Sequence, residues 1–170
     1  RFTPNLWLNC VQEQRATFAI TVSAQLNQIT AHLSSTDEMK IDSLRSIVSS
    51  SALLEPQIKN VLIEKLKCDF HEMYGTSEVS TVTSINFKET VHKKKSVGKP
   101  LPEASVTILK DNGEQAPIGE IGEIACKTVL MCAGYYGMKD KFEAAMQNDY
   151  FKTGDLGYVD DEGYLYFVGR

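Results

Sequence analysis

Two hydrophobic rhythms alternate along the chain before about residue 96. Thr17-Phe18-Ala19-Ile20-Thr21-Val22 is a continuous β-rich run, which predicts a strand covered on both faces. Leu44-Arg45-Ser46-Ile47-Val48 and Phe70-His71-Glu72-Met73-Tyr74 predict two more strands, the last ending at Gly75. Helical spacing lies between them. Leu6 to Arg15 suits a short helix after Pro4, and Ser23 is placed to cap a helix through about Leu33. Pro56 opens the clearest helix, with Ile58, Val61, Leu62, Lys65 and Leu66 stepping along one face. This alternation predicts an α/β part, residues 1–95, belonging to a doubly wound sheet. Ligands in such sheets collect beyond the carboxyl ends of strands. The segments Ser49–Ala52 and Tyr74–Glu78 fall at those ends.

Beyond Ser96 the rhythm changes to short strands punctuated by turns. Val97–Pro102, Ser105–Leu109 and Gly119–Cys126 carry it, with Asp111-Asn112-Gly113 as a turn and Asp140–Gln147 as the one helix. Phe151–Arg170 then reads as a β-hairpin: aromatic and β-branched runs flank the acidic turn Asp160-Asp161-Glu162-Gly163. Residues 96–170 are therefore expected to form a small antiparallel β-barrel-like subdomain. The hairpin would fold Gly169-Arg170 back towards Asp155. Such an acid and guanidinium form either an ordinary cross-strand ion pair or part of a site.

Composition narrows the class. At 170 residues, with 42% hydrophobic and 24% charged side chains, the chain can bury a globular core. A net charge of −4 gives no case for nucleic acid, and His92-Lys93-Lys94-Lys95 reads as a solvated loop. The four cysteines show no CxxC pair and no zinc-finger spacing. Scattered in apolar contexts, they suggest reduced thiols and a cytoplasmic chain. No apolar run reaches the length of a transmembrane segment. A start at Arg1 and an end directly after Gly-Arg suggest a piece of a longer protein.

The chemistry concentrates in two stretches. Glu72-Met73-Tyr74-Gly75-Thr76-Ser77-Glu78 offers a flat ring, a glycine, hydroxyls and a carboxylate in succession. A ring can stack on a purine, a hydroxyl can bond a phosphate oxygen, and a carboxylate is a hard ligand for Mg²⁺. The same string also suits a turn with a surface acid. Asp155, presented by Thr153-Gly154, could accept hydrogen bonds from both hydroxyls of a ribose.

Three motifs in order resemble those of the adenylate-forming enzymes: acyl-CoA synthetases, peptide-synthetase adenylation domains and firefly-type luciferases. Tyr74-Gly75-Thr76-Ser77-Glu78 resembles their Tyr-Gly-x-Thr-Glu. Gly134-Tyr135-Tyr136 followed by Thr153-Gly154-Asp155 is similar to their Gly-Tyr-x … Thr-Gly-Asp, and Gly163–Arg170 to the Gly-Arg motif closing their large domain. The wording is most like acyl-CoA synthetases. The resemblance implies ATP-dependent activation of a carboxylic acid through an acyl-adenylate, with Mg²⁺, then transfer to CoA. A phosphopantetheinyl carrier protein as acceptor, or a non-catalytic nucleotide-binding or interaction module, are the alternatives. By position, Ser50, Ser51 and Ala52 would lie along the adenine, Glu72 and Met73 at the base edge, and Tyr74 stacked on it, with Gly75 beside them. Ser77 would bind phosphate and Glu78 the Mg²⁺. Asp155 would hold the ribose, Arg170 the ribose and phosphate, and Phe167 would wall the adenine. Ser23, Leu26, Ser49, Met73 and Val79–Val82, Val82 among them, would line the acyl pocket. Ser50 and Ser51 depart from the family's glycines, Met73 from a common glycine and Ser77 from threonine. The family's phosphate loop would lie upstream and its lysine-bearing C-terminal domain downstream, which implies about half an active site here and an inactive fragment.

Overall fold

The computed structural model describes residues 1–35, 41–50, 52–88 and 90–170. They form two compact units, one of Arg1–Glu72 with Asn86–Lys95, the other of Met73–Ile85 with Ser96–Arg170. Among the described residues no helix is long and apolar enough to cross a membrane.

The first unit alternates helix and strand: α1 (Pro4–Glu13), β1 (Phe18–Val22), α2 (Ser23–Ser35), β2 (Ser46–Ser50), α3 (Pro56–Leu66) and the start of β3 (Asp69–Thr76). Its strands are parallel in the order β1-β2-β3, with Ile47 opposite both Ala19 and Phe70. Thr3 caps α1 by accepting from the Leu6 N–H. Three sequence expectations change. Among the described residues β1 stands at the edge of its sheet and is covered on one face only, with Phe18, Ile20 and Val22 exposed while Thr21 points inward. Ser23 does not cap α2. Gln25 reaches back to accept from the Val22 N–H, which leaves the Ser23 hydroxyl for another partner. The buried stripe of α3 is Lys59, Leu62 and Leu66 rather than a face containing Lys65. An ammonium at that depth needs a local acid, and Glu72 supplies it.

The second unit holds the end of β3 beside β4 (Ser80–Asn86) and β5 (Lys99–Pro100), and a second sheet. That sheet is antiparallel in the order β10-β9-β7-β6, from β6 (Ala104–Leu109), β7 (Gly122–Thr128), β9 (Tyr150–Val159) and β10 (Leu165–Gly169). Its core gathers Tyr74, Val79, Val82, Ile124, Phe151 and Leu165. β4 is a strand the sequence pattern did not announce, because its apolar positions Val82 and Ile85 are diluted by Ser and Thr. The helix expected at Asp140–Gln147 is α4 (Lys139–Ala145), and Met146–Gln147 form β8 instead. Asn148 and Asp149 take left-handed conformations at φ 49° and 66°. Two such residues in a row make the tight turn that pairs β8 with β9, and this ends the helix.

Candidate functional site

The β9 strand carries the central irregularity. Glu123 pairs with Leu156 and Ala125 with Lys152, so Thr153, Gly154 and Asp155 together oppose Ile124 alone. Gly154 sits at φ 74°, open to glycine but strained for other side chains. A bulge of this kind re-aims a side chain. Thr153 stabilises it, its hydroxyl donating to the Ile124 carbonyl at 2.8 Å and accepting from the Asp155 N–H at 3.1 Å.

Asp155 is thereby held with its side chain 11% exposed. The Tyr74 hydroxyl donates to Oδ2 at 3.0 Å and lies 3.2 Å from Thr153 Oγ1. Arg170 approaches the other oxygen, Nε to Oδ1 at 3.2 Å, with its own side chain 75% exposed. The hairpin that delivers Arg170 has its own irregularity at Val168, between the pairs Phe167–Gly157 and Gly169–Leu156. Burial keeps the Tyr74 hydroxyl protonated far above the ordinary tyrosine range. Phe167 is half-buried, its ring 6.2 Å from that of Tyr74 at 40°.

Glu78 is fixed from both ends. Its carbonyl accepts from the Cys132 N–H at 2.7 Å and its Oε1 from the Tyr135 hydroxyl at 2.6 Å. Donation from Tyr135 first, then from Thr76, holds its carboxyl below the usual carboxylate range. Gly75 owes its identity to packing, since a Cβ there would come 1.9 Å from the Ser80 carbonyl oxygen. β3 runs through Gly75 and Thr76, and the turn begins at Ser77, which is exposed. Met73 is half-buried, with Thr81 Oγ1 3.9 Å from its sulfur, and Val82 is fully buried.

A cavity of about 400 Å³ is lined by Glu78, Tyr135, Thr153, Gly154 and Arg170, with Glu123, Lys141 and Lys152. Two acids and three cations around one space suit a polyphosphate carried with a divalent cation. Its volume lies in the range of small-molecule sites, on the order of 300–1,000 Å³. The donor set thus fits the nucleotide and Mg²⁺ implied by the motifs.

The remaining expected residues belong to the first unit. Ser50 is half-buried at the end of β2, Ala52 is exposed just after it, and Ser51 lies outside the described residues. Ser23, Leu26 and Ser49 are buried, and the Ser49 hydroxyl has no hydrogen-bond partner. Glu72 is 2% exposed with both carboxylate oxygens engaged, by the Leu54 N–H at 3.0 Å and Lys59 Nζ at 2.5 Å. Burial pushes Glu72 up and Lys59 down against their mutual attraction.

Sequence reasoning did not single out Thr153, Tyr135 or Lys59 for these tasks. Thr153 and Tyr135 lie inside the Thr-Gly-Asp and Gly-Tyr motifs, so a signal was present. Lys59 gave none.

A family model described as AMP-binding enzyme matches residues 1–136. The chain belongs to the AMP-binding enzyme family. This AMP-binding chain is 32% identical over 136 residues to the mitochondrial acyl-coenzyme A synthetase ACSM3 of Mus musculus, covering 77% of the chain and 23% of that protein. It superposes on o-succinylbenzoate coenzyme A synthetase (MenE) from Bacillus subtilis, solved with ATP and magnesium ion. There the TM-score is 0.87 and identity 29%, covering 100% of this chain and 35% of that one. The amide bond synthetase McbA from Marinactinospora thermotolerans matches with TM-score 0.88 and 26% identity, covering 98% and 35%. The chain therefore spans about a third or less of the length of these relatives.

Proposed function

We propose that the protein containing this chain activates a carboxylic acid with ATP and Mg²⁺ and passes the acyl group to CoA. A carboxylate oxygen attacks the α-phosphorus, and the bond to pyrophosphate breaks with its electron pair leaving on pyrophosphate. The thiol sulfur of CoA then attacks the acyl carbon, and AMP departs. The first step needs positioning and charge neutralisation more than a proton donor. The observation that carries this reading is Asp155, a nearly buried carboxylate held at a bulge between Tyr74 and Arg170.

Asp155 accepts from the ribose hydroxyls and Arg170 contacts ribose and phosphate. Glu78 holds Mg²⁺ and Ser77 a phosphate oxygen. By motif position Tyr74 and Phe167 flank the adenine, and Met73 and Glu72 serve its edge, Glu72 through its main chain because both carboxylate oxygens are engaged. Ser50, Ser51, Ala52 and Gly75 are assigned to the same base. The acyl group is assigned to Ser23, Leu26, Ser49 and Val82. CoA as acceptor is supported by the acyl-coenzyme A synthetase and MenE likenesses. McbA, named for amide bond synthesis, makes an amine the second reading. The four cysteines are free thiols, burial pushing Cys68 up to about 11 and Cys126 to about 12, which suits the expected cytoplasmic setting.

The test is acid-dependent ATP–pyrophosphate exchange by the intact protein, followed by trapping with CoA or an amine. Thioester formation with release of AMP supports the reading; an amide alone moves it to the second. ADP as product, or exchange indifferent to added acid, would overturn it. The 170 residues alone are expected to show no exchange, and exchange by them would refute that part.

A further inference from the structure

The connection between β2 and α3 is tied at two points by side chains of its own unit. Ser23 donates its hydroxyl to the Ala52 carbonyl. Two residues on, the Leu54 N–H donates to Glu72 Oε1 at 3.0 Å. Glu72 is fixed in turn by Lys59, whose Nζ also donates to the Lys94 carbonyl at 2.7 Å and lies 4.2 Å from the centroid of the Phe87 ring.

Lys59 is fully buried. Desolvating such a pair is costly enough that apolar residues of similar volume often serve stability as well or better. Stability alone therefore does not account for it. The acid supplies what an apolar pair lacks, an acceptor for a buried backbone N–H. Ala52, whose carbonyl takes the first tie, and Leu53, between the two ties, stay exposed. A short segment offered to its surroundings while its flanking backbone is pinned is preorganised for a ligand, which lowers the ordering cost of binding.

We propose that Ser23, Glu72 and Lys59 are positioning residues that preset the Ala52–Leu54 backbone for the face of a purine. The proposal rests on the nucleotide reading above. Lys59 acts through Glu72, and Glu72 and Ser23 act through the backbone.

The experiment titrates AMP and CMP into the intact protein, alongside thermal melting, for wild type and variants. Lys59→Met with Glu72→Leu replaces the pair by apolar bulk. It should melt cooperatively yet bind AMP about tenfold more weakly, the worth of one hydrogen bond to a charged group. CMP should change less, narrowing the preference for purine. Ser23→Ala should weaken AMP by about fivefold, as loss of a neutral bond does. Glu72→Gln keeps an oxygen for the Leu54 N–H and should restore most of the AMP affinity. A double variant that melts cooperatively and keeps wild-type affinity and preference overturns the proposal. If that variant does not fold, Ser23→Ala decides: unchanged AMP binding overturns, and the expected loss supports. Wild type that binds no AMP sinks the nucleotide reading itself, whatever the variants do.

Discussion

Glu72 and Asp155 are both buried carboxylates held by a cation, yet their cations live in different solvents. Lys59 is fully buried with Glu72, and Nζ lies over an aromatic ring. Arg170 is three-quarters exposed and touches Asp155 through a single nitrogen at 3.2 Å. The first pair cannot be exchanged without opening the core. The second can hand its carboxylate to a ligand and keep most of its hydration. One pair builds, and the other is available for binding.

The largest expected effect breaks the first pair. Lys59→Met alone strands a buried Glu72 and should cost about 3–5 kcal/mol in denaturant unfolding, whereas Arg170→Met should cost about 1 kcal/mol or less. Equal losses would erase the distinction.

Next comes Asp155→Ala in the intact protein. Bonds to charged acceptors contribute roughly 1.5–3 kcal/mol each, so losing one or both ribose contacts should weaken ATP by about tenfold to about ten-thousandfold. Calorimetric titration reads it, and unchanged affinity would return Asp155 to a purely structural role.

Tyr74→Phe separates ring from hydroxyl. The ring remains to stack, while Asp155 Oδ2 loses its donor. A loss of about fivefold in ATP affinity is expected. If the hydroxyl matters only for packing, melting will shift and affinity will not.

The smallest effect is a pH dependence. Glu78 is depressed below its ordinary 4.5, chiefly by the Tyr135 hydroxyl. A carboxyl depressed in the fold contributes stability that is present above its unfolded pKa and lost as pH falls through the folded value. Thermal melts of wild type should therefore decline below about pH 4.5 more steeply than those of Tyr135→Phe. Parallel curves would remove the Tyr135–Glu78 bond from consideration.

What could be read in the sequence was local or repeated. The hairpin that brings Arg170 to Asp155 announces itself through alternation and an acidic, glycine-ended turn, and the structure pairs those strands as expected. The strand–helix rhythm of the first unit was equally plain. Lys59 was illegible because its burial depends on an acid thirteen residues away, which no helical period encodes. β8 was hidden because Met146 and Gln147 continue an acceptable helix until two left-handed residues interrupt it. The exposure of β1 was missed because an apolar run reports affinity for cover, not whether cover is present.

The bulge in β9 has a consequence for how this region can change over generations. Three residues oppose one at Ile124, and the side chains on either side alternate in step with that surplus. A point substitution leaves the frame intact. Deleting Gly154 would leave two residues against one and turn Asp155 or everything before it to the other face. Single-residue deletions through Lys152–Leu156 should abolish ATP binding even where alanine is tolerated. The segment would then keep the record of its descent in altered letters and almost never in gaps.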